Sequence, residues 1–178
     1  MATCTSLITK AERFIIIKLG PIYIVKVYLP ESCVCGRDEV IADICSQIEN
    51  CVSIHGNELI VFGGDFNLEF VNGATCCADL NSFMSDNNLS VCDSKFPDNV
   101  KHTYCHETRN CSSWIDHFAV SGSLFDKVDD AVVIDTGNNL SDHCPIWIKL
   151  TDFETLTLKA SVQTKTAVPE VSPLDGTR

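Results

Sequence analysis

Apolar residues fall along this chain in short runs, broken by Gly, Pro and Asn, and the runs change period. Phe14-Ile15-Ile16-Ile17-Lys18-Leu19 leads through Gly20-Pro21 into Ile22-Tyr23-Ile24-Val25-Lys26-Val27-Tyr28-Leu29-Pro30. Two β-rich runs around a Gly-Pro turn predict a β-hairpin, and Pro30 ends its second strand. From Asp38 to Val52 apolar side chains recur at Val40, Ile41, Ile44, Ile48, Cys51 and Val52. That spacing predicts an amphipathic helix. Gly56-Asn57 breaks it, and Leu59-Ile60-Val61-Phe62 then runs into Gly63-Gly64-Asp65-Phe66-Asn67, a buried strand ending in a tight turn. Leu80, Phe83 and Met84 predict a second, shorter helix over 78–88, with those side chains as core filler.

Shorter signals follow. Val91-Cys92 and residues 101–105 read as short strands, and 107–112 as a polar turn. Residues 114–121 form the next strand, 125–134 a turn and another strand, and 144–150 a last strand after a loop at 137–139. Residues 1–12 are mostly polar and carry no signal. Residues 152–178 are rich in Thr, Ser, Pro and Val without period, and read as a linker or disordered tail after one domain at 1–151. Strands separated by two helices and several hairpins imply an α/β (α+β) fold with mixed sheets, not a doubly wound parallel one.

Composition narrows the classes. The length of 178 residues suits one domain, and a hydrophobic content of 45% is ample for its core. Lys plus Arg total 13 against 24 Asp plus Glu, a formal net charge of −11. That excess argues against sequence-independent nucleic-acid binding through Lys and Arg. It leaves open an enzyme that meets phosphate through a cation held by carboxylates. Eleven cysteines with no secretory leader read as thiols in a reducing, intracellular compartment, nuclear or cytoplasmic. The run Phe14–Ile17 is too short for a membrane span, so no membrane partner is expected. His102, Cys105, His106 and Cys111 are the richest group of soft ligands, yet their spacing fits no defined zinc pattern.

Three polar groups sit on or beside apolar strands. Asp65 and Asn67 stand two apart at a strand end; in an extended chain both face one side. The plainer reading is a Gly-Asp turn in which Asn67 tolerates an unusual backbone angle. Asp116 lies among Trp114, Ile115 and Phe118, where a carboxylate must be paired or neutral. Ser141-Asp142-His143 directly precedes the last strand. A buried carboxylate fixes the tautomer of a histidine it contacts, and Asp116 with His143 is the natural pair. Asp142 can then face a metal or a leaving group. Singly, these could be a turn acid, a surface histidine and a cap. Together they suit metal-assisted attack of water on a phosphoester. His55, His102 and His117 read as structural.

These motifs, in this order, resemble the endonuclease/exonuclease/phosphatase (DNase I-like) family, closest in flavour to LINE-type retrotransposon endonucleases. The resemblance rests on Gly64-Asp65-Phe66-Asn67, Trp114-Ile115-Asp116-His117-Phe118 and Ser141-Asp142-His143. Val27-Tyr28-Leu29-Pro30 matches the family's Tyr-x-Pro strand end, and His102-Thr103-Tyr104 its Thr-aromatic strand. It implies a four-layer α/β sandwich of two mixed sheets and a Mg2+ or Mn2+ ion. It implies that Tyr28 contacts the scissile phosphate, Asp65 orients and polarises the water, and Asn67 bonds the phosphate or a metal-bound water. Asp116 would support His143 on the phosphate oxygens, and Asp142 with Asp65 would lie at the metal.

The family's opening strand-helix-strand, which ends in its principal metal-ligating Glu, has no counterpart before Phe14. The chain thus reads as incomplete on its N-terminal side, with a weakly held metal, impaired turnover, and a bare sheet edge that invites self-association. Glu31 and Glu69 are the nearest acids, and Glu69 shares the alternation of Asp65 and Asn67. The leading expectation is a metal-dependent phosphodiesterase nicking DNA, from a retroelement. The alternatives are a non-catalytic remnant acting as an interaction module, and a phosphatase or phosphodiesterase on lipid or inositol phosphates.

Overall fold

The computed structural model describes residues 5–54, 59–71, 73, 75–96, 102–106, 111–135, 137 and 140–151. The tail expected at 152–178, the Gly56-Asn57 break and most of the turn at 107–112 lie outside these. The order is β1 (Thr5–Lys10), β2 (Phe14–Leu19), β3 (Ile22–Tyr28), α1 (Arg37–Ile54), β4 (Ile60–Asp65), α2 (Ala78–Asp86) and β5 (Leu89–Val91). A 3-10 turn follows at Asp93–Lys95, then β6 (Tyr104–His106), β7 (Cys111–Ser113), β8 (Asp116–Ser121), α3 (Gly122–Phe125), β9 (Val128–Val133) and β10 (Ile146–Leu150).

The main sheet has six strands in the order β1-β2-β3-β4-β8-β5. Only β3 and β4 pair in parallel, joined by α1; every other neighbour is antiparallel. Alternation along the strands sorts side chains to two faces. Tyr23, Val25, Val27, Ile60, Phe62 and Ala119 go to one face and pack with Ile41, Ile44 and Ile48 of α1 and Leu80, Phe83 and Met84 of α2. Phe62 is buried there against the rings of Phe66 and Phe83, at 5.2 and 5.5 Å between centroids. Burying one such side chain contributes about 1.5–3 kcal/mol. The opposite face presents Ile22, Val61 and Val120, covered by Leu124, Val128, Ile148 and Leu150.

The fold is therefore mixed α/β, as expected, with one difference in detail. Among the described residues the layers are helices, the six-stranded sheet and the β9–β10 pair. This second sheet is two-stranded and antiparallel, not mixed.

Other local readings change. Residues 5–10 form a strand the sequence did not signal. An edge strand pairs on one side only, so Thr, Ser and Lys suffice for it; Leu7 is 61% exposed. β1 pairs with β2 and is itself an edge of the six-stranded sheet, so an edge remains, made largely of Thr, Ser and Lys. The strand expected from Trp114 starts at Asp116, and β7 forms a separate hairpin with β6. No helix among the described residues is long and apolar enough to cross a membrane.

Two glycines allow β4 to sit between β3 and β8. A Cβ on Gly63 would lie 2.5 Å from the Phe118 ring. Gly64 has φ of +142°, and a Cβ there would run into the Val27 carbonyl. The Gly-Gly pair thus answers to close strand packing immediately before Asp65.

Candidate active site

Sheet register places three of the expected residues side by side. Tyr28 is the Cα partner of Asp65 across β3 and β4, and Asp65 is the partner of Asp116 across β4 and β8. Directly paired residues point to the same face, so one phenol and two carboxylates share one end of one face. The backbone locks that end: Leu29 N–H donates to the Asp65 carbonyl at 2.9 Å, and Phe66 N–H to the Ile115 carbonyl at 2.8 Å.

His143 arrives from the β9–β10 connection. It bridges to Tyr104 of β6. Cys105 N–H donates to the Asp142 carbonyl at 2.8 Å, and Cys144 N–H to the Thr103 carbonyl at 2.7 Å. Ser141 Oγ accepts the His143 N–H at 3.1 Å. So held, the imidazole places Nδ1 2.8 Å from Asp116 Oδ2 and Nε2 4.0 Å from Asp65 Oδ2. The Tyr104 ring centre lies 4.9 Å from that of His143. A carboxylate can only accept at Nδ1, so the tautomer with Nδ1–H is favoured and Nε2 faces the cleft side of Asp65.

Asp65 and Asn67 come together by a turn, not by the extended alternation expected. Asn67 has φ of +49°, and its N–H donates to Asp65 Oδ1 at 2.9 Å. Its Nδ2 donates to the Leu29 carbonyl at 2.9 Å and to Asp65 Oδ2 at 3.3 Å. Both the turn reading and the pairing with Asp65 therefore hold at one residue. Asn67 positions Asp65 through both its backbone N–H and its side-chain amide. The same turn breaks the alternation that would have brought in Glu69, which is exposed. Glu31, in contrast, lines the cleft.

Burial pushes the Asp65 carboxyl above its ordinary range; the Asn67 N–H bond opposes this, nearby Asp116 adds to it, His143 opposes it and Glu31 adds to it. A polar cleft of about 400 Å³ is lined by Tyr28, Glu31, Asp65, Asn67, Asp142 and His143, among others. It opens beside an apolar groove of about 760 Å³ whose walls include Ile24, Val61, Phe118 and Ile146. Tyr28 is 46% exposed, with the Arg13 guanidinium 5.4 Å from its ring centre. The structure thus brings all six expected residues to one cleft or its wall, Asp116 behind His143.

Two positioning roles were not foreseen, that of Arg37 and that of Thr103, whose motif the sequence showed without its role. Arg37 Nε donates to the Pro30 carbonyl at 2.8 Å, and Nη2 to the Asn67 carbonyl at 2.7 Å, tying together the loops after β3 and β4. A cation in a helix's first turn opposes the macrodipole, which is the sequence signal that it serves something else. Thr103, fully buried, accepts at Oγ1 from Ile115 N–H (3.1 Å) and Asp116 N–H (3.0 Å), fixing the start of β8. His117 points to the opposite, helix-covered face. It is buried with Nε2 2.9 Å from the Leu68 carbonyl and Nδ1 3.0 Å from Asp93.

A mixed sheet that gathers two acids, a histidine, a tyrosine and an amide at one end is the arrangement expected of the endonuclease/exonuclease/phosphatase (DNase I-like) family. A family model described as endonuclease-reverse transcriptase matches residues 22–147, and the chain belongs to that family. No curated protein matches the sequence. Among solved structures it is similar to a substituted form of the 3′ phosphatase NExo from Neisseria bound to a product DNA hairpin. The TM-score is 0.62 at 16% identity, covering 78% of this chain and 64% of that one. It is also similar to the 3′-5′ exonuclease NExo from Neisseria meningitidis, with TM-score 0.58, 17% identity and the same coverages. The chain thus spans less than two thirds of the length of either.

Proposed function

We propose that this chain is a divalent-metal-dependent phosphodiesterase that nicks DNA, of the retroelement endonuclease kind, working inside the cell in nucleus or cytoplasm. The observation that carries the reading is the register Tyr28–Asp65–Asp116 with His143 Nδ1 on Asp116. A DNA hairpin bound by a protein of the same fold supports the substrate class.

The donor set of the cleft suits Mg2+ or Mn2+: Glu31, Asp65, Asp142 and the Asn67 amide all offer hard oxygen. Among the described residues no three acid, His or Cys ligand atoms of this cleft converge within 4.8 Å. That fits an ion held by one or two carboxylates and several waters, as Mg2+ prefers. Bound there, the ion would supply Lewis-acid polarisation of a phosphoryl oxygen.

The chain's own residues do the rest. Asp65, with its basicity raised by burial, takes the proton of the attacking water at a carboxylate oxygen. His143, held at Nδ1 by Asp116, turns Nε2 to the phosphate, where a proton carried on that nitrogen is donated to a non-bridging oxygen and offsets its growing charge. Tyr28 Oη stands on the same face to bond the scissile phosphate, and Asn67 holds Asp65 in place. With a net charge of −11, the chain repels a polyanion overall, so binding leans on the metal and on His143.

Parallel assays on supercoiled plasmid and on an inositol or lipid phosphate, each with Mg2+ and with chelator, test this. Metal-dependent nicking of plasmid is expected. Hydrolysis of the lipid phosphate alone would move the substrate class. Failure of both by folded protein would make the chain an interaction module.

A further inference from the structure

We propose that His102, Asp135 and Cys144 form a second metal site, for Zn2+, which staples the loop that carries His143. One ligand atom of each residue lies within 4.8 Å of those of the other two. The cysteine is buried, the histidine half-buried and the aspartate exposed, so the trio runs from the interior to solvent. An ion entering from the Asp135 side keeps a water as its fourth ligand. Thiolate, imidazole and carboxylate together are a zinc set. The soft sulfur selects against Mg2+, which the all-oxygen cleft of Asp65 prefers.

The three ligands come from separate segments that the backbone already fastens together. His102 precedes β6, Asp135 follows β9, and Cys144 precedes β10. Cys144 N–H donates to the Thr103 carbonyl at 2.7 Å, and Ile134 N–H to the Pro145 carbonyl at 2.8 Å. Asp135 Oδ1 accepts the Gly137 N–H at 3.0 Å, which orients its carboxylate. Drawing in ligand atoms within 4.8 Å to zinc distances of about 2.0–2.3 Å asks only for small side-chain movement. The soft-ligand group apparent in the sequence, His102 with Cys105, His106 and Cys111, is not the one that converges. His106 and Cys111 pair across the β6–β7 hairpin instead.

The site has a consequence for its neighbour. Cys144 adjoins His143, and Thr103 both accepts from Cys144 and fixes the start of β8. A metal bridging 102, 135 and 144 holds the imidazole against Asp116 from behind. The site stands whether or not the cleft cleaves phosphoesters.

Co2+ bound to the full chain is the probe. The expected result is one tightly held equivalent, displaced by Zn2+, with a thiolate-to-cobalt absorption band. Cys144→Ser should remove that band, and His102→Gln should weaken binding at least tenfold. Asp65→Asn should leave both unchanged, which separates this site from the cleft. If Cys144→Ser fails to fold by circular dichroism, His102→Gln and Asp135→Asn decide, since both replace solvent-reaching side chains. A wild-type chain without the band, or variants that keep it at unchanged affinity, would overturn the proposal.

Discussion

Asp116 and His143 stand 27 positions apart in the sequence and 2.8 Å apart in the structure. Each is positioned by a different backbone device: Asp116 by the β8 ladder and Thr103, His143 by its bridge to Tyr104. The contact closes the groups of the site into one unit, because Asp116 also pairs in register with Asp65.

Asp116→Asn keeps the size of the side chain and removes the charge that fixes the His143 tautomer. The expected outcome is a fall in cleavage rate of about 10²–10⁴-fold with an unchanged melting temperature. Single-turnover kinetics alongside thermal melts check both halves.

Asp65 carries a stability cost. Its folded-state carboxyl titrates above its ordinary value, chiefly through burial. Between those two values the folded chain binds a proton that the unfolded chain has lost, so stability falls as pH rises through that interval. Asp65→Asn keeps an oxygen for the Asn67 N–H and removes the charge. It should raise Tm at pH 7 while abolishing cleavage, and the gain should vanish at acid pH where Asp65 is protonated in both states. Melts across pH read this directly; a lowered Tm at pH 7 would contradict it.

Gly64→Ala should destabilise the fold by about 3 kcal/mol or more, from a clash with the Val27 carbonyl and a positive φ that L residues avoid. Gly73→Ala, which meets nothing within 4 Å, is a milder comparison at φ +79°. Urea unfolding of the pair separates clash from backbone strain.

Asp93→Ala leaves the buried His117 Nδ1 without its acceptor. A loss of about 1–3 kcal/mol is expected. Cleavage below the melting range should be unchanged, because His117 faces the helices and not the cleft. A large loss of rate in folded protein would show that His117 serves the site.

Periodicity made α1, α2, the main strands and the fold class legible, because apolar spacing reports burial on one face; the one-turn α3 is too short to show a period. The pairing of Asp116 with His143 was legible for a related reason: an acid in an apolar strand demands a partner. The strand at Thr5–Lys10 was not, since an exposed edge needs no apolar face. Nor was the clamp by Arg37, whose partners are carbonyls 7 and 30 positions away and so leave no side-chain pattern. The bonding of Asn67 to Asp65 comes from a turn, not from extended alternation, because the strand ends at Asp65 and Asn67 has φ of +49°, which the sequence does not show.

The most direct test of the central claim is a double-mutant cycle on Asp116 and His143, read by nicking of supercoiled plasmid in Mg2+ with a chelator control. If the two act as one unit, Asp116→Asn and His143→Ala each suppress metal-dependent nicking, and the double variant is no worse than His143→Ala alone. Nicking by folded His143→Ala at the wild-type rate, or losses that simply multiply, would contradict it.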